Sequence, residues 1–166
     1  MTICVLVGPM GSGKSTVAGL LAEAYGVTAR DTDADVEAAE GRTISDIFVD
    51  SGEDHFRELE RSAVAAALAS HDGVLALGGG AVLDPSTREL LADHRVVFLR
   101  VGLSEAVKRV GLGIGRPLLL GNIRSRIKTL LDERTPIYES VADISVDTDE
   151  RSPQDVADEI RKALDA

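Results

Sequence analysis

Residues 8–16 read Gly-Pro-Met-Gly-Ser-Gly-Lys-Ser-Thr, directly after the apolar run Ile3–Val7 and directly before a helix-like stretch. A G-x-x-x-x-G-K-[ST] loop in that setting constrains the fold strongly. It works only where a strand end feeds a helix N-terminus, whose unpaired backbone N–H groups and partial positive charge face an anion. Glycines at 8, 11 and 13 permit close backbone approach to phosphates. Lys14 has the reach to neutralise β- and γ-phosphates, and the Ser15 hydroxyl is a ligand for Mg²⁺. The first expectation is therefore a strand–loop–helix unit that binds a nucleoside triphosphate.

The rest of the chain alternates in the same manner. Strands are expected near 2–7, 28–31, 74–77, 95–100 and 143–147, and helices near 14–25, 34–50 (broken at Gly41-Arg42), 53–70, 86–93, 103–110, 123–133 and 153–165. Ser104 and Ser152 are read as helix caps, the latter with Pro153 at the first helical position. Val74-Leu-Ala-Leu77 is apolar throughout, as a strand covered on both faces should be. The pattern argues a parallel sheet with helices on both sides. At 166 residues, with no repeat, linker or low-complexity tract, one domain over 1–166 is expected.

Composition excludes several classes. The formal net charge of −10 argues against a nucleic-acid surface. No segment nears the roughly 20 apolar residues that span a bilayer. The N-terminus runs straight into strand and loop, without the regions of a secretory signal, so a cytoplasmic protein is expected. A lone Cys4 inside the first strand permits no internal disulfide. No His/Cys spacing suggests a metal centre, and His55, His71 and His94 carry no role.

Three further segments carry chemistry. Asp31-Thr-Asp33 closes the second strand, where ligands bind in parallel sheets. One carboxylate there serves Mg²⁺, and the other orients or deprotonates a hydroxyl attacking the γ-phosphate. Leu77-Gly78-Gly79-Gly80-Ala81 ends the third strand, and three glycines are costly unless something approaches the backbone closely. Gly111-Leu-Gly-Ile-Gly115 followed by Arg116 reads as a lid, over about 111–123. A guanidinium can fork onto a carboxylate or a phosphate, but Arg57, Arg116 and Arg134, taken singly, are more commonly surface residues than site residues. The polar loop Val146–Arg151 lies where it covers an adenine.

In this order, the phosphate loop, Asp31-Thr-Asp33 with Glu37, Gly41-Arg-Thr-Ile-Ser-Asp-Ile-Phe48, Gly52-Glu with Phe56-Arg57 and Glu60, Leu77–Val82, Arg116-Pro-Leu-Leu119 and Arg134-Thr-Pro-Ile-Tyr138 resemble the shikimate kinases over nearly the whole chain. The resemblance implies an α/β P-loop NTPase three-layer sandwich of the nucleoside monophosphate kinase type: a five-stranded parallel sheet flanked by helices, with a lid and a substrate-binding region at about 32–61. It implies transfer of the γ-phosphoryl of ATP to the 3-hydroxyl of shikimate, with one Mg²⁺, by a monomer. It implies catalytic roles for Lys14, Asp33 and Arg116, and nucleotide contacts from Gly11, Ser12, Gly13, Lys14, Ser15, Thr16, Arg109, Arg116 and Arg151. Shikimate contacts fall to Asp33, Arg57, Gly78, Gly79, Gly80 and Arg134, and Mg²⁺ contacts to Ser15 and Asp31. Two alternatives stay open: another small-molecule kinase of this fold, such as a gluconate-type kinase, and a nucleotide-dependent switch. The switch would want a guanine-reading Asn-Lys-x-Asp motif, which this chain does not contain.

Overall fold

The computed structural model describes the backbone of residues 1–114 and 120–166, with side chains described for 1–110 and 123–166. Five parallel strands form one sheet: β1 (Cys4–Val7), β2 (Ala29–Asp31), β3 (Val74–Ala76), β4 (Val96–Arg100) and β5 (Ile144–Asp147), in the order β2-β3-β1-β4-β5. The strands are shorter than their apolar runs because pairing covers only the middle of each.

Side-chain alternation builds two cores on opposite faces of this sheet. Cys4 and Leu6 of β1, Val74 and Ala76 of β3, and Val97 and Leu99 of β4 point to one face. They pack there against helices α1 (Lys14–Tyr25) and α8 (Pro153–Asp165). Val5, Val7, Leu75, Val96 and Phe98 point to the other. They meet α4 (Glu53–Ser70), α5 (Pro85–Leu91) and α7 (Leu120–Val141). A strand buried on both faces must be apolar at every position, which is why these runs lack a polar alternate. A third, smaller cluster of Val36, Ile47 and Phe56 ties α2 (Thr32–Glu40) and α3 (Ile44–Ser51) to α4.

Local chemistry explains most boundaries. Gly41 takes the left-handed conformation (φ +68°) and ends α2, so the expected break at Gly41-Arg42 separates two helices. The Thr43 hydroxyl accepts from Asp46 N–H at 3.1 Å to start α3. The Ser152 hydroxyl accepts from Asp155 N–H at 3.1 Å to start α8. Ser104 is not a cap, because α6 (Leu103–Ile114) begins one residue earlier. Just ahead of α6, Gly102 N–H is held by both oxygens of Asp149, at 3.0 and 3.1 Å.

The largest difference from expectation is α7. The helix expected near 123–133 instead runs from Leu120 through Pro136 to Val141. Proline interrupts a helix by removing one N–H and crowding one carbonyl. Here Ile137, Tyr138 and Val141 lie in the second core, and their burial outweighs that loss. A 3₁₀ turn at Ala81–Leu83 after the glycines was not foreseen either.

Candidate active site

The central strand β1 delivers the phosphate loop to the carboxyl edge of the sheet, where parallel α/β folds bind ligands. Gly8 passes so close to β4 that a Cβ there would lie 2.7 Å from Leu99 O. Gly13 adopts φ +90° as the N-cap of α1. Ser12 is buried, and among the described residues its hydroxyl has no hydrogen-bond partner. Lys14 Nζ donates to Gly8 O at 2.7 Å and to Pro9 O at 3.0 Å. Loss of water around this ammonium lowers its pKa to about 8, against the pull of Asp33 and Asp31.

Asp31 joins the two acidic positions to this loop. Its Oδ1 accepts from Asp33 N–H at 2.8 Å and caps α2. Its Oδ2 accepts from the Ser15 hydroxyl at 2.7 Å. Asp33 therefore sits in the first helical turn, facing the cleft. Burial pushes its carboxyl up to about 6. Asp31 and Glu60 add to the rise, Lys14 opposes it, and Glu37 adds a little more. A carboxylate tuned toward neutrality in a cleft is the expected form of a general base.

Across the cleft, Arg57 Nη1 reaches the buried Glu60 carboxylate at 2.6 Å, and its guanidinium lies 5.3 Å from the Phe56 ring centroid. Burial raises the Glu60 carboxyl, while the Arg57 hydrogen bond and the Arg57 and Arg134 charges hold it down. Arg57 is thus an ion-pair partner, yet the pair is inside the cleft, not on a solvated face. Arg134 reaches the same cleft from α7, and among the described residues no carboxylate lies within ion-pair distance of it.

The triple glycine fits between these groups. A Cβ at Gly78 would lie 2.4 Å from Asp33 Oδ1, and one at Gly80 would lie 2.5 Å from both terminal nitrogens of Arg57. At Gly79 a Cβ meets nothing closer than 3.5 Å. The first and third glycines make room for side chains already present. The middle one keeps the cleft itself open.

Most of these groups line one cleft of about 790 Å³, while Gly8, Ser12 and Gly78 lie behind its lining. Gly79 is where the phosphate loop and Arg134 come nearest: a Cβ there would lie 3.5 Å from Met10 N and 3.9 Å from Arg134 Nη1. The structure brings together Gly11, Gly13, Lys14, Ser15, Thr16, Asp31, Asp33, Arg57, Gly79, Gly80 and Arg134, as the sequence suggested. Arg116 and most of the lid segment lie outside the described residues. Arg109 is a brace beside the loop: it donates to Gly11 O at 2.9 Å and to Thr148 O at 3.2 Å. Arg151 does not line this cleft. It donates to Asp147 O at 2.9 Å and pairs with Glu159 at 3.0 Å.

Sequence reasoning overlooked one wall. Ile123, Arg126, Ile127, Leu130 and Leu131 of α7 line the cleft ahead of Arg134 and Tyr138. Their spacing is that of one helical face, so the signal was present.

The family model for shikimate kinase matches residues 10–165. The chain belongs to the shikimate kinase family. A shikimate kinase of Salinispora arenicola is 60% identical over 99% of this chain and 98% of its own length. That of Thermobifida fusca is 56% identical over 99% and 95%. Among solved structures, shikimate kinase from Acinetobacter baumannii in complex with shikimate matches with a TM-score of 0.90 and 35% identity, over 97% of this chain and 91% of that one. The chain is an enzyme of the kinase class, with the five-stranded P-loop fold of this family.

Proposed function

We infer that this enzyme transfers the γ-phosphoryl group of ATP to the 3-hydroxyl of shikimate, giving shikimate 3-phosphate and ADP. One observation carries the reading: a phosphate-binding loop, Asp33 and a pair of arginines line a single cleft. Shikimate is a small ring bearing one carboxylate and several hydroxyls. Arg57 and Arg134 suit the carboxylate, and Asp33 suits a hydroxyl.

The donor end takes ATP through the N–H groups of residues 11–16. A phosphate oxygen or a water there would also give the buried Ser12 hydroxyl its missing partner. Lys14 exchanges its two carbonyl contacts for phosphate oxygens as charge develops in the transition state. Asp33 takes the proton of the attacking hydroxyl, and a carboxyl titrating near 6 is ionised at neutral pH. Ser15 and Asp31 offer hard oxygen donors and fit Mg²⁺. Among the described residues no group of three or more His, Cys, Asp or Glu gathers around a metal. That suits an ion whose remaining ligands are water and phosphate oxygens. When bound, this ion neutralises charge on the β- and γ-phosphates. Arg116 is assigned to the same charge from the lid at about 111–123, closing over the substrate-binding region at about 32–61. Arg109 and Arg151 are assigned to the nucleotide side, Arg109 through its brace on the phosphate loop.

We take a monomer as the working unit, in one domain over 1–166. No described helix is long and apolar enough to cross a membrane. We take the cytoplasm, where ATP is held, as the working compartment. The test is ADP release coupled to NADH oxidation, with shikimate, gluconate and other hydroxy acids as acceptors. Turnover with shikimate well above all others is the expected result. Turnover with gluconate but not shikimate would transfer the reading to another kinase of this fold.

A further inference from the structure

The glycine turn is held by two side chains from opposite walls of the cleft. Gly78 N–H donates to the fully buried Thr32 hydroxyl at 3.2 Å, and Thr32 lies between the two site aspartates. Gly79 O accepts from the Tyr138 hydroxyl at 2.5 Å, and Tyr138 lies one helical turn after Arg134. Gly78 O accepts from Ala81 N–H, and Gly80 O from Leu83 N–H, both at 3.1 Å. Every carbonyl of the three glycines is thereby occupied. Among the described residues, the N–H groups of Gly79 and Gly80 have no acceptor, and both residues line the cleft.

In a trans peptide the C=O and N–H point in opposite directions. Tyr138 is fully buried, with its ring stacked on Phe98 at 5.1 Å between centroids. It holds the Gly79 carbonyl on its own side, so the N–H on the far end of that peptide, that of Gly80, is turned away from the Tyr138 hydroxyl. Two successive unpaired N–H groups beside two guanidinium groups form an anion-binding concavity.

We propose that Tyr138 is a positioning residue of the acceptor site: its hydroxyl, by anchoring Gly79 O, orients the Gly80 N–H toward the acceptor carboxylate held by Arg57 and Arg134. This rests on the acceptor reading given above. Burial also raises the phenol's pKa against the influence of Arg134, so the hydroxyl remains a donor through the neutral range. A buried tyrosine needs some acceptor in any case. The distinguishing feature is which acceptor it has taken: a carbonyl whose peptide carries one of the two unpaired N–H groups of the site.

Tyr138→Phe keeps the ring stack and removes only the oxygen. In steady-state assays with shikimate and ATP, its acceptor KM should rise about tenfold, the scale of one lost hydrogen bond to a charged group, with the ATP KM unchanged. In ¹⁵N-labelled wild-type protein, the Gly80 amide resonance should shift on adding shikimate without nucleotide. A folded Y138F protein with wild-type acceptor KM overturns the inference, as do equal rises in both KM values. A silent Gly80 amide in the wild type overturns it without any variant, which decides the matter even if Y138F does not fold. Absence of shikimate turnover in the wild type would instead overturn the functional reading beneath it.

Discussion

Asp33 carries a conflict between stability and function. Its carboxyl titrates near 3.8 in an unfolded chain and near 6 in the folded one. Between these values the native state binds more protons, so this group's contribution to stability falls as pH rises from about 4 to about 6. At pH 7 the ionised Asp33 is a cost, reduced by solvent screening in a half-buried site. Asp33→Asn should therefore raise Tm by about 2–4 °C, equivalent to roughly 1 kcal/mol for a chain of this size, while phosphoryl transfer is abolished. Calorimetry at pH 7 beside a turnover assay checks both. In the wild type, kcat/KM should fall through an acid limb centred near pH 6; a profile flat to pH 5 would remove Asp33 as the base. The glycines offer a second discrimination. A methyl at 78 or 80 collides with the mobile ends of Asp33 or Arg57, so both variants should fold. Gly78→Ala should lower kcat about 100-fold by displacing the base, while Gly79→Ala keeps its Tm and loses acceptor binding. A wild-type acceptor KM in Gly79→Ala would show that the cleft has room to spare. The triple glycine was legible as unusual, because one glycine suffices for a turn. The atoms that Gly78 and Gly80 accommodate were not, since they come from α2 and α4.

At the scale of elements, α7 and Arg109 decide more of the site than their local sequence suggests. Pro136 marks a helix end by local rules, but burial of Ile137, Tyr138 and Val141 carries α7 onward. That continuation sets Arg134 and Tyr138 on one face toward the glycine turn. Arg109 joins three elements: α6, the phosphate loop through Gly11 O, and the β5–α8 connection through Thr148. A lysine keeps the charge but cannot span these acceptors at once. Arg109→Lys should raise the ATP KM about tenfold and leave the acceptor KM alone, measured by varying each substrate in turn. Equal change in both would make Arg109 a general structural strut. Caps at Thr43 and Ser152 and the Gly41 break follow from nearest neighbours, which is why these boundaries were readable in advance.

Over the whole molecule, a net charge of −10 coexists with a cleft for two anions. Lys14, Arg57, Arg126 and Arg134 gather there and offset the carboxylates of Asp31, Asp33, Glu53 and Glu60 in the same lining, so the average charge does not describe the site. Metal dependence belongs at this scale too. Chelation with EDTA should abolish turnover yet leave Tm unchanged, because two apolar cores hold the fold and no cluster of metal-ligating side chains occurs among the described residues. A fall in Tm on chelation would reveal a structural ion.

The sequence by itself determined the phosphate loop, the alternation of strands and helices, and the family, because each is written in contiguous residues whose backbone preferences and burial periodicity act locally. Tertiary structure alone decided that Asp33 is raised toward neutrality, that Gly78 and Gly80 clear space for other side chains, and that Tyr138 anchors Gly79. Each of these depends on desolvation or on atoms brought together from separate elements. Neither quantity exists until the sheet has set β1, β2 and β3 side by side and α7 has closed over their carboxyl ends.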